Sequence, residues 1–226
     1  MMNSMRRWIA PLLALSANSP FFSGSLTGMK SSRTMQFGAF PRTNIPKGFS
    51  SLNEYINYTD KLLEIDSIAK SRHIWWKIRP HLDYNTLEFR ICDAQRSLVN
   101  VKMLASLCRA LVHAAYVDFN RTKSSKDLSV EFLNDSLWKA SRFDFNCIVY
   151  DEVSNQNITM KNLIEKMYNY CSESLKLFDD NDILETINFI LNEGTEGDKQ
   201  MNVYKKDGFD KLKLYLMSNV DYLEKE

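Results

Sequence analysis

The chain has 226 residues, 44% of them hydrophobic and 12% aromatic, which excludes a disordered protein and fits one globular domain with a sizeable core. Its 29 basic and 28 acidic residues leave a net charge of +1, so no overall field favours nucleic acid, a membrane surface or an acidic partner. The four cysteines and three histidines show no zinc-binding spacing. We therefore expect a reduced, cytoplasmic protein in which any metal is an oxygen-ligated ion such as magnesium.

The first element in chain order is an apolar run. Residues 10–24 read APLLALSANSPFFSG and follow Arg6, Arg7 and Trp8. Basic residues, an apolar run and then small residues are typical of a secretory signal peptide, but a core helix can have the same composition. No apolar run in the sequence approaches about 20 residues, so we predict no segment that spans a membrane.

Residues 20–50 hold four of the seven glycines and three of the five prolines, which predicts a long irregular connection. Connections of this length inside a compact domain are either functional or disordered. Residues 20–50 also contain aromatic side chains and two arginines, Arg33 and Arg42, which favour an ordered binding loop.

Helical patterns follow this loop. Ser51 and Glu54 form a capping box, and the apolar spacing after them predicts a helix to about Lys70. Apolar residues three and four positions apart predict a second, more deeply buried helix from Ser97 to about Phe119. Further helices are predicted over residues 130–141, 159–178, 183–192 (with Asp182 at its start and Gly194 as its stop) and 209–223.

Between the first two helices the pattern changes to period two. HIWWKIRP and NTLEFRIC, joined by HLDY, predict a β-hairpin at about residues 74–92. On its second strand Glu88 and Arg90 share the face opposite to the apolar residues. The first strand adds Lys77 and Arg79 at alternate positions, and the register decides whether they share that face. This face is either an ordinary solvated surface or a floor for a polyanion and a divalent cation.

Several segments, in this order, resemble the carboxylate-amine ligases related to glutamate-cysteine ligase. The segments are LLALSANSPFFSG, TGMKSSRTMQFG, WWKIRP, TLEFRICD, LCRALV, LWKASRF and EGTEGDKQ. The similarity covers nearly the whole chain, from about Arg7 to about Lys206.

This resemblance implies an ATP-dependent ligation on an antiparallel sheet akin to that of glutamine synthetase. ATP phosphorylates the carboxylate of glutamate or another acid, and the amine of cysteine or another substrate then displaces phosphate to form an amide. The expected cofactors are ATP and Mg²⁺, and the expected partners are these amino-acid substrates. The implied fold class is α+β, with the hairpin as part of the sheet and a mostly helical C-terminal half.

The matching motifs also imply site residues. Glu88 resembles the magnesium ligand, and Arg90 resembles the catalytic arginine that contacts the terminal phosphate of the nucleotide. Arg33 is similar to the arginine that holds the substrate carboxylate, and Asn18 and Ser19 resemble residues of the same pocket. Two further candidates are Arg42 for the substrate and Arg79 for the nucleotide. Because cleavage near the SANSP segment would remove part of this pocket, the resemblance favours the core helix over the signal peptide.

Family members carry, before the SANSPF segment, a first half with an acidic GxEEE-like strand and an HxHxG-like strand, and the 226 residues contain neither. We therefore expect a single domain that is the C-terminal part of a larger catalytic domain. Its expected parts are a helix and substrate loop (1–50), a helix, hairpin and helix (51–120) and a helical region (121–226). Three accounts stay open: a fragment of a full ligase, a subunit of a split ligase whose other chain supplies the missing strands, and a non-catalytic relative that pairs with a partner chain or with itself.

Overall fold

The computed structural model of the chain describes residues 1–122 and 128–218. It combines α-helices with small antiparallel two-stranded sheets, which confirms the predicted α+β class. The helices are α1 (Met2–Met5), α2 (Ile9–Ser16), α3 (Ser32–Gly38), α4 (Leu52–Glu64), α5 (Leu98–Thr122), α6 (Val130–Phe143), α7 (Met160–Leu177), α8 (Ile183–Glu193) and α9 (Glu196–Ser218). The strands are β1 (Phe21–Phe22), β2 (Ser25–Leu26), β3 (Ile78–His81), β4 (Thr86–Phe89), β5 (Ile148–Asp151) and β6 (Gln156–Thr159).

Helix α2 lies at the centre of the core. Every one of its residues is buried, and it packs against α6 and α7. A helix that is apolar all round is stable only when neighbours cover it on every side. Its one hydroxyl, that of Ser16, donates to the carbonyl of Leu12 at 2.8 Å and so is not left unpaired. The prediction of a core helix is confirmed, and this helix carries the chain directly to Asn18 and Ser19.

Helix α5 is the longest described element and packs against α7 and α8. Its stretch Leu98–Phe119 has a mean hydropathy of 1.3 and is long and apolar enough to cross a membrane by length and composition alone. The stretch is not one unbroken apolar run, since Lys102 and Arg109 interrupt it, and the prediction that no segment spans a membrane stays a prediction. Core helices share this composition, and Leu107, Ala110 and Leu111 are fully buried in the protein core.

The β3–β4 hairpin forms as predicted but is shorter than residues 74–92. Its register pairs Arg79 with Glu88 and Ile78 with Phe89. One further bond, from the amide of Arg90 to the carbonyl of Lys77 at 2.9 Å, extends the pairing beyond the assigned strands. Lys77, Arg79, Glu88 and Arg90 therefore occupy one face of the hairpin, because side chains alternate along each strand.

The β5–β6 hairpin was not predicted. It is anchored by Asp151, whose carboxylate accepts from Arg7 at 2.7 and 2.8 Å, from Ser154 at 2.6 Å and from Lys166 at 3.0 Å. Burial raises the pKa of Asp151, but the hydrogen bonds from Ser154 and Lys166 and the charge of Arg7 outweigh it and lower the pKa to about 2.

The helices predicted over 97–119, 130–141, 159–178 and 183–192 are confirmed with small changes at their ends, whereas the one predicted to about Lys70 already ends at Glu64. Ser51 caps α4 by accepting from the amide of Glu54 at 3.1 Å. Gly194 ends α8 in a left-handed conformation with φ 91°. Asp182 does not cap α8 through its side chain; it accepts from Lys102 at 2.5 Å.

The last helix differs most from its prediction, 209–223. Helix α9 begins at Glu196, and Gly208 breaks it with φ 78°. Only the part after this break was predicted, and residues 219–223 lie outside the described residues.

Candidate active site

Three chain segments that carry candidate substrate-binding residues meet at Asp93, which follows the second strand of the β3–β4 hairpin. Asp93 is buried, and one carboxylate oxygen accepts from the amide of Asn18 at 2.9 Å and the hydroxyl of Ser19 at 2.8 Å. The other oxygen accepts from the hydroxyl of Ser31 at 3.1 Å and from Nε of Arg33 at 2.6 Å. Four donors thus satisfy one buried carboxylate, which fixes three distant chain segments in one place.

Ser19 and its neighbour Asn18 are held by more than Asp93. The Ser19 hydroxyl accepts from the amide of Arg33 at 3.2 Å, and its carbonyl accepts from the amide of Ser32 at 2.8 Å. Asn18 donates through Nδ2 to the carbonyl of Ala94 at 2.6 Å. The end of α2 and the start of α3 are therefore joined as a rigid unit.

Arg33 is oriented by the chain that leaves the hairpin. Its guanidinium donates through Nη2 to the carbonyls of Ile91 and of Cys92, the latter at 3.1 Å, in addition to the Asp93 contact. These bonds use Nε and Nη2, and 38% of the side chain is exposed. The third nitrogen, Nη1, is therefore the one that can meet a ligand carboxylate, with the guanidinium plane already fixed.

The hairpin face carries a chain of three charged side chains. Glu88 accepts from Nη2 of Arg79 at 2.5 Å and from Nη1 of Arg90 at 2.7 Å. Arg79 is nearly fully buried and also donates to the carbonyls of Arg72 at 2.5 Å and Ile74 at 3.0 Å. These contacts hold Arg79 within the fold, and its role in nucleotide binding stays a prediction. The Nε of Arg90 is buried and has no hydrogen-bond partner within the described residues.

Lys77 lies on the same face and is 1% exposed. Its Nζ donates to the carbonyl of Thr34 at 3.4 Å and lies 5.4 Å from the centroid of the Phe37 ring. Burial, with the nearby charges of Arg33 and Arg90, lowers its pKa to about 8 despite the opposing effect of Asp93. No carboxylate of the described residues forms an ion pair with this ammonium group.

Arg42 does not join this group. Its guanidinium donates to the hydroxyl and the carbonyl of Ser67, both at 3.2 Å, and no described contact links it to Asp93. Its backbone has φ 60°, and its carbonyl accepts from the amide of Trp75 at 2.9 Å. In the described structure Arg42 holds the loop before α4 against the start of the hairpin; its role in substrate binding stays a prediction.

The C-terminal motifs contact the end of α2 beside this group. Gln200 donates to the side-chain oxygen of Asn18, and the amide of Gly197 donates to the carbonyl of Ala17 at 3.2 Å. A Cβ at Gly197 would lie 3.0 Å from that carbonyl oxygen, so only glycine fits without a shift. Lys30 binds Asp198 and lies 3.2 Å from Asp144 at the end of α6.

A magnesium site was predicted at Glu88. Both oxygens of Glu88 already accept from guanidinium groups. Within residues 1–122 and 128–218, no three His, Cys, Asp or Glu side chains lie close enough to share a metal ion. Magnesium combines carboxylates with phosphate oxygens and waters, so these residues do not form a complete site by themselves. The role of Glu88 stays a prediction, and no chemical step below depends on the metal.

Sequence reasoning missed one residue of this region and the burial of another. Asp93 stands inside the TLEFRICD segment but was not singled out, because its partners are scattered along the chain. Lys77 was predicted as a possible member of the charged hairpin face, but its burial was not. Lys77 has an apolar neighbour on each side in the sequence, which is the one sign that it could be buried. Many surface lysines have the same neighbours, so this sign does not predict burial.

The α+β chain thus places a buried carboxylate and a partly exposed arginine beside a charged hairpin face. The sequence profile of glutamate-cysteine ligase family 2 (GCS2) matches residues 1–213. The chain therefore belongs to glutamate-cysteine ligase family 2, as the resemblance of its motifs indicated.

Curated relatives bear the name "Putative glutamate--cysteine ligase 2". The one from Solibacter usitatus is 33% identical over 223 residues, which are 98% of this chain and 58% of the relative. The one from Sorangium cellulosum is 32% identical over 204 residues, 90% of this chain and 54% of the relative. The one from Chloroflexus aggregans is 32% identical over 202 residues, which are 89% of this chain and 52% of the relative. The chain thus spans about half the length of the curated relatives it matches.

Proposed function

We propose that the protein is an ATP-dependent carboxylate-amine ligase of the glutamate-cysteine ligase type. Its substrates would be glutamate or another acid and the amine of cysteine or another amino acid. The observation that carries the proposal is the convergence of Asn18, Ser19 and Arg33 on Asp93, next to the hairpin face that bears Glu88 and Arg90. Family membership, together with the names of the relatives, supports the reaction type.

The proposed reaction has two steps. A carboxylate oxygen of the acid attacks the terminal phosphorus of ATP, the bond to the bridging oxygen breaks, and ADP leaves. The amine nitrogen then attacks the acyl carbon, the bond to the phosphate oxygen breaks, and phosphate and one proton from nitrogen are released. Both steps gather negative charge, so fixed cations are what the protein must supply.

The candidate residues other than Arg42 each have a place in this scheme. Arg33 would hold a substrate carboxylate through Nη1, with its plane fixed by Asp93. Asn18 and Ser19 would form the wall of that pocket. Arg90, the catalytic residue of the proposal, would stabilise the transferring phosphoryl group through its partly exposed guanidinium. Arg79 would act behind it by holding Glu88 in place.

Magnesium, where it takes part, would neutralise charge on the nucleotide phosphates. The described residues offer it Glu88 alone, so further ligands would come from a part of the site outside them. This incompleteness favours a second proposal for partners: a complementary polypeptide segment, on this chain or on another, completes the site. Size-exclusion chromatography with light scattering would test for a second copy or a bound chain.

The experiment is a coupled assay for ADP with mass-spectrometric detection of the amide, using the protein in its longest encoded form. Glutamate and cysteine are offered first, followed by other amino-acid pairs. Release of ADP that requires both amino acids, with one amide formed for each ADP, supports the proposal. ADP release that does not depend on the amine, or no release with any pair, contradicts it.

A further inference from the structure

Lys77 is a buried cation for which the described residues offer no carboxylate partner. With 1% exposure it is among the most buried charged side chains described, and its only polar contact there is the Thr34 carbonyl at 3.4 Å. Lysines are almost never fully buried unless they are paired, because removing the ammonium group from water is costly. The buried ammonium group of Lys77 therefore lowers the stability of the fold by its desolvation cost.

The register of the hairpin adds to this cost. Lys77 lies directly opposite Arg90, whose amide donates to the Lys77 carbonyl at 2.9 Å. Directly opposed side chains on antiparallel strands have their Cβ atoms about 4.5–5.5 Å apart, and like charges in such pairs are destabilising. The Thr34 carbonyl that Lys77 contacts belongs to the residue after Arg33, so a third cation borders the same space.

The carboxylates nearby do not balance these charges. Glu88 is shared between Arg79 and Arg90, and Asp93 is bound to Arg33. Four cations thus face two carboxylates, which leaves two positive charges without a counter-charge in this group. The cations are Arg33, Lys77, Arg79 and Arg90.

We propose that Lys77 is an anion-positioning residue: its buried charge, behind the exposed parts of Arg33 and Arg90, makes this face an acceptor for a dianionic phosphoryl group. Lys77 does not touch the ligand. The side chain of Arg90, 28% exposed, makes the contact with the phosphoryl group, and that of Arg33, 38% exposed, holds the neighbouring carboxylate. A charge held in a region of low dielectric constant is weakly screened, so it acts at a distance that water would not allow. This inference deepens the proposed function and rests on it.

The test is isothermal titration calorimetry with inorganic phosphate, and with glutamate in parallel, on the 226-residue chain. Lys77→Met removes the charge and keeps an unbranched apolar chain, while Lys77→Arg keeps the charge. Lys61→Met is the matched control, because Lys61 is exposed and pairs only with Glu64 on α4. We expect Lys77→Met to weaken phosphate binding about tenfold and glutamate binding less, with the affinity retained in the other two variants.

Thermal unfolding separates this role from a structural one. If the charge of Lys77 acts on a bound anion, Lys77→Met loses phosphate affinity but keeps or raises the melting temperature. The reason is that an apolar group in place of an unpaired buried charge removes the desolvation cost of that charge. A variant that melts lower and binds phosphate as the wild type does would assign Lys77 to packing on Phe37 and overturn the proposal. The proposal would also be overturned if the wild-type chain binds no phosphate, or if Lys77→Met loses affinity for glutamate alone.

Failure of this inference is distinguishable from failure of the proposed function. If the protein makes the amide but Lys77→Met binds phosphate as the wild type does, the proposed role of Lys77 is wrong and the ligase function stands. If Lys77→Met loses phosphate affinity but the protein joins no amino acids, the anion site stands and the ligase function is wrong.

Discussion

Replacing Asp93 by asparagine should destabilise the protein and detach Arg33. The carboxylate of Asp93 is buried and accepts four hydrogen bonds, one of them from a guanidinium at 2.6 Å. An asparagine amide oxygen can replace one carboxylate oxygen, but its NH₂ group would face donors in place of the other. Two bonds and the charge of one ion pair are therefore lost.

The size of the effect follows from these losses. A neutral hydrogen bond contributes about 0.5–1.5 kcal/mol and one to a charged group about 1.5–3 kcal/mol, and a donor left unsatisfied adds to the loss. We expect Asp93→Asn to lower the free energy of unfolding by about 3 kcal/mol. Urea denaturation followed by tryptophan fluorescence measures it, provided the slope with urea is unchanged.

The control is Asp210→Asn, since the Asp210 side chain is 94% exposed. Its effect should stay within about 0.5 kcal/mol. If Asp93→Asn costs no more than this control, then Asp93 does not join the three segments and our account of the pocket is wrong.

Three further predictions concern other positions. Because the pKa of Asp151 is lowered from 3.8 to about 2, its ionised form stabilises the fold above pH 3.8, and this stabilisation is lost as the pH falls towards 2. The free energy of unfolding of Asp151→Asn should therefore lack a pH-dependent contribution of about 2 kcal/mol in this range, which acid titration of both proteins measures. Gly197→Ala should lower the melting temperature by several degrees, since its Cβ would lie 3.0 Å from the Ala17 carbonyl oxygen; an unchanged temperature would show that α9 shifts freely. In a form of the protein that shows the proposed ligase activity, Arg90→Lys should raise the barrier to turnover by about 3–4 kcal/mol, and steady-state kinetics with unchanged kcat would remove Arg90 from the chemistry.

The helices of the middle of the chain could be predicted because their apolar residues recur at helical spacing and their ends carry local signals. Ser51 and Gly194 mark such ends through chemistry that involves only a few neighbouring residues. The β3–β4 hairpin was predictable from alternation. The β5–β6 hairpin was not, because the strand Gln156–Thr159 is mostly polar, and its anchor Asp151 binds Arg7 from the other end of the chain.

The site was predictable only in part. Motif resemblance indicated Asn18, Ser19 and Arg33, and the structure brings these three together. It did not indicate Asp93, because a single carboxylate has no recognisable spacing when its partners are 60 to 75 positions away. Nor could the spacing of Lys77 reveal that α3 would cover it, since burial by a distant helix depends on tertiary packing.

The central claim, that the protein joins a carboxylate to an amine at the expense of ATP, is tested most directly by measuring ADP and amide together in the longest encoded form of the protein. With ATP, Mg²⁺, glutamate and cysteine, the account predicts equal amounts of ADP and amide and a large loss of both in Arg33→Met. ADP without amide, or equal activity in Arg33→Met, would contradict it.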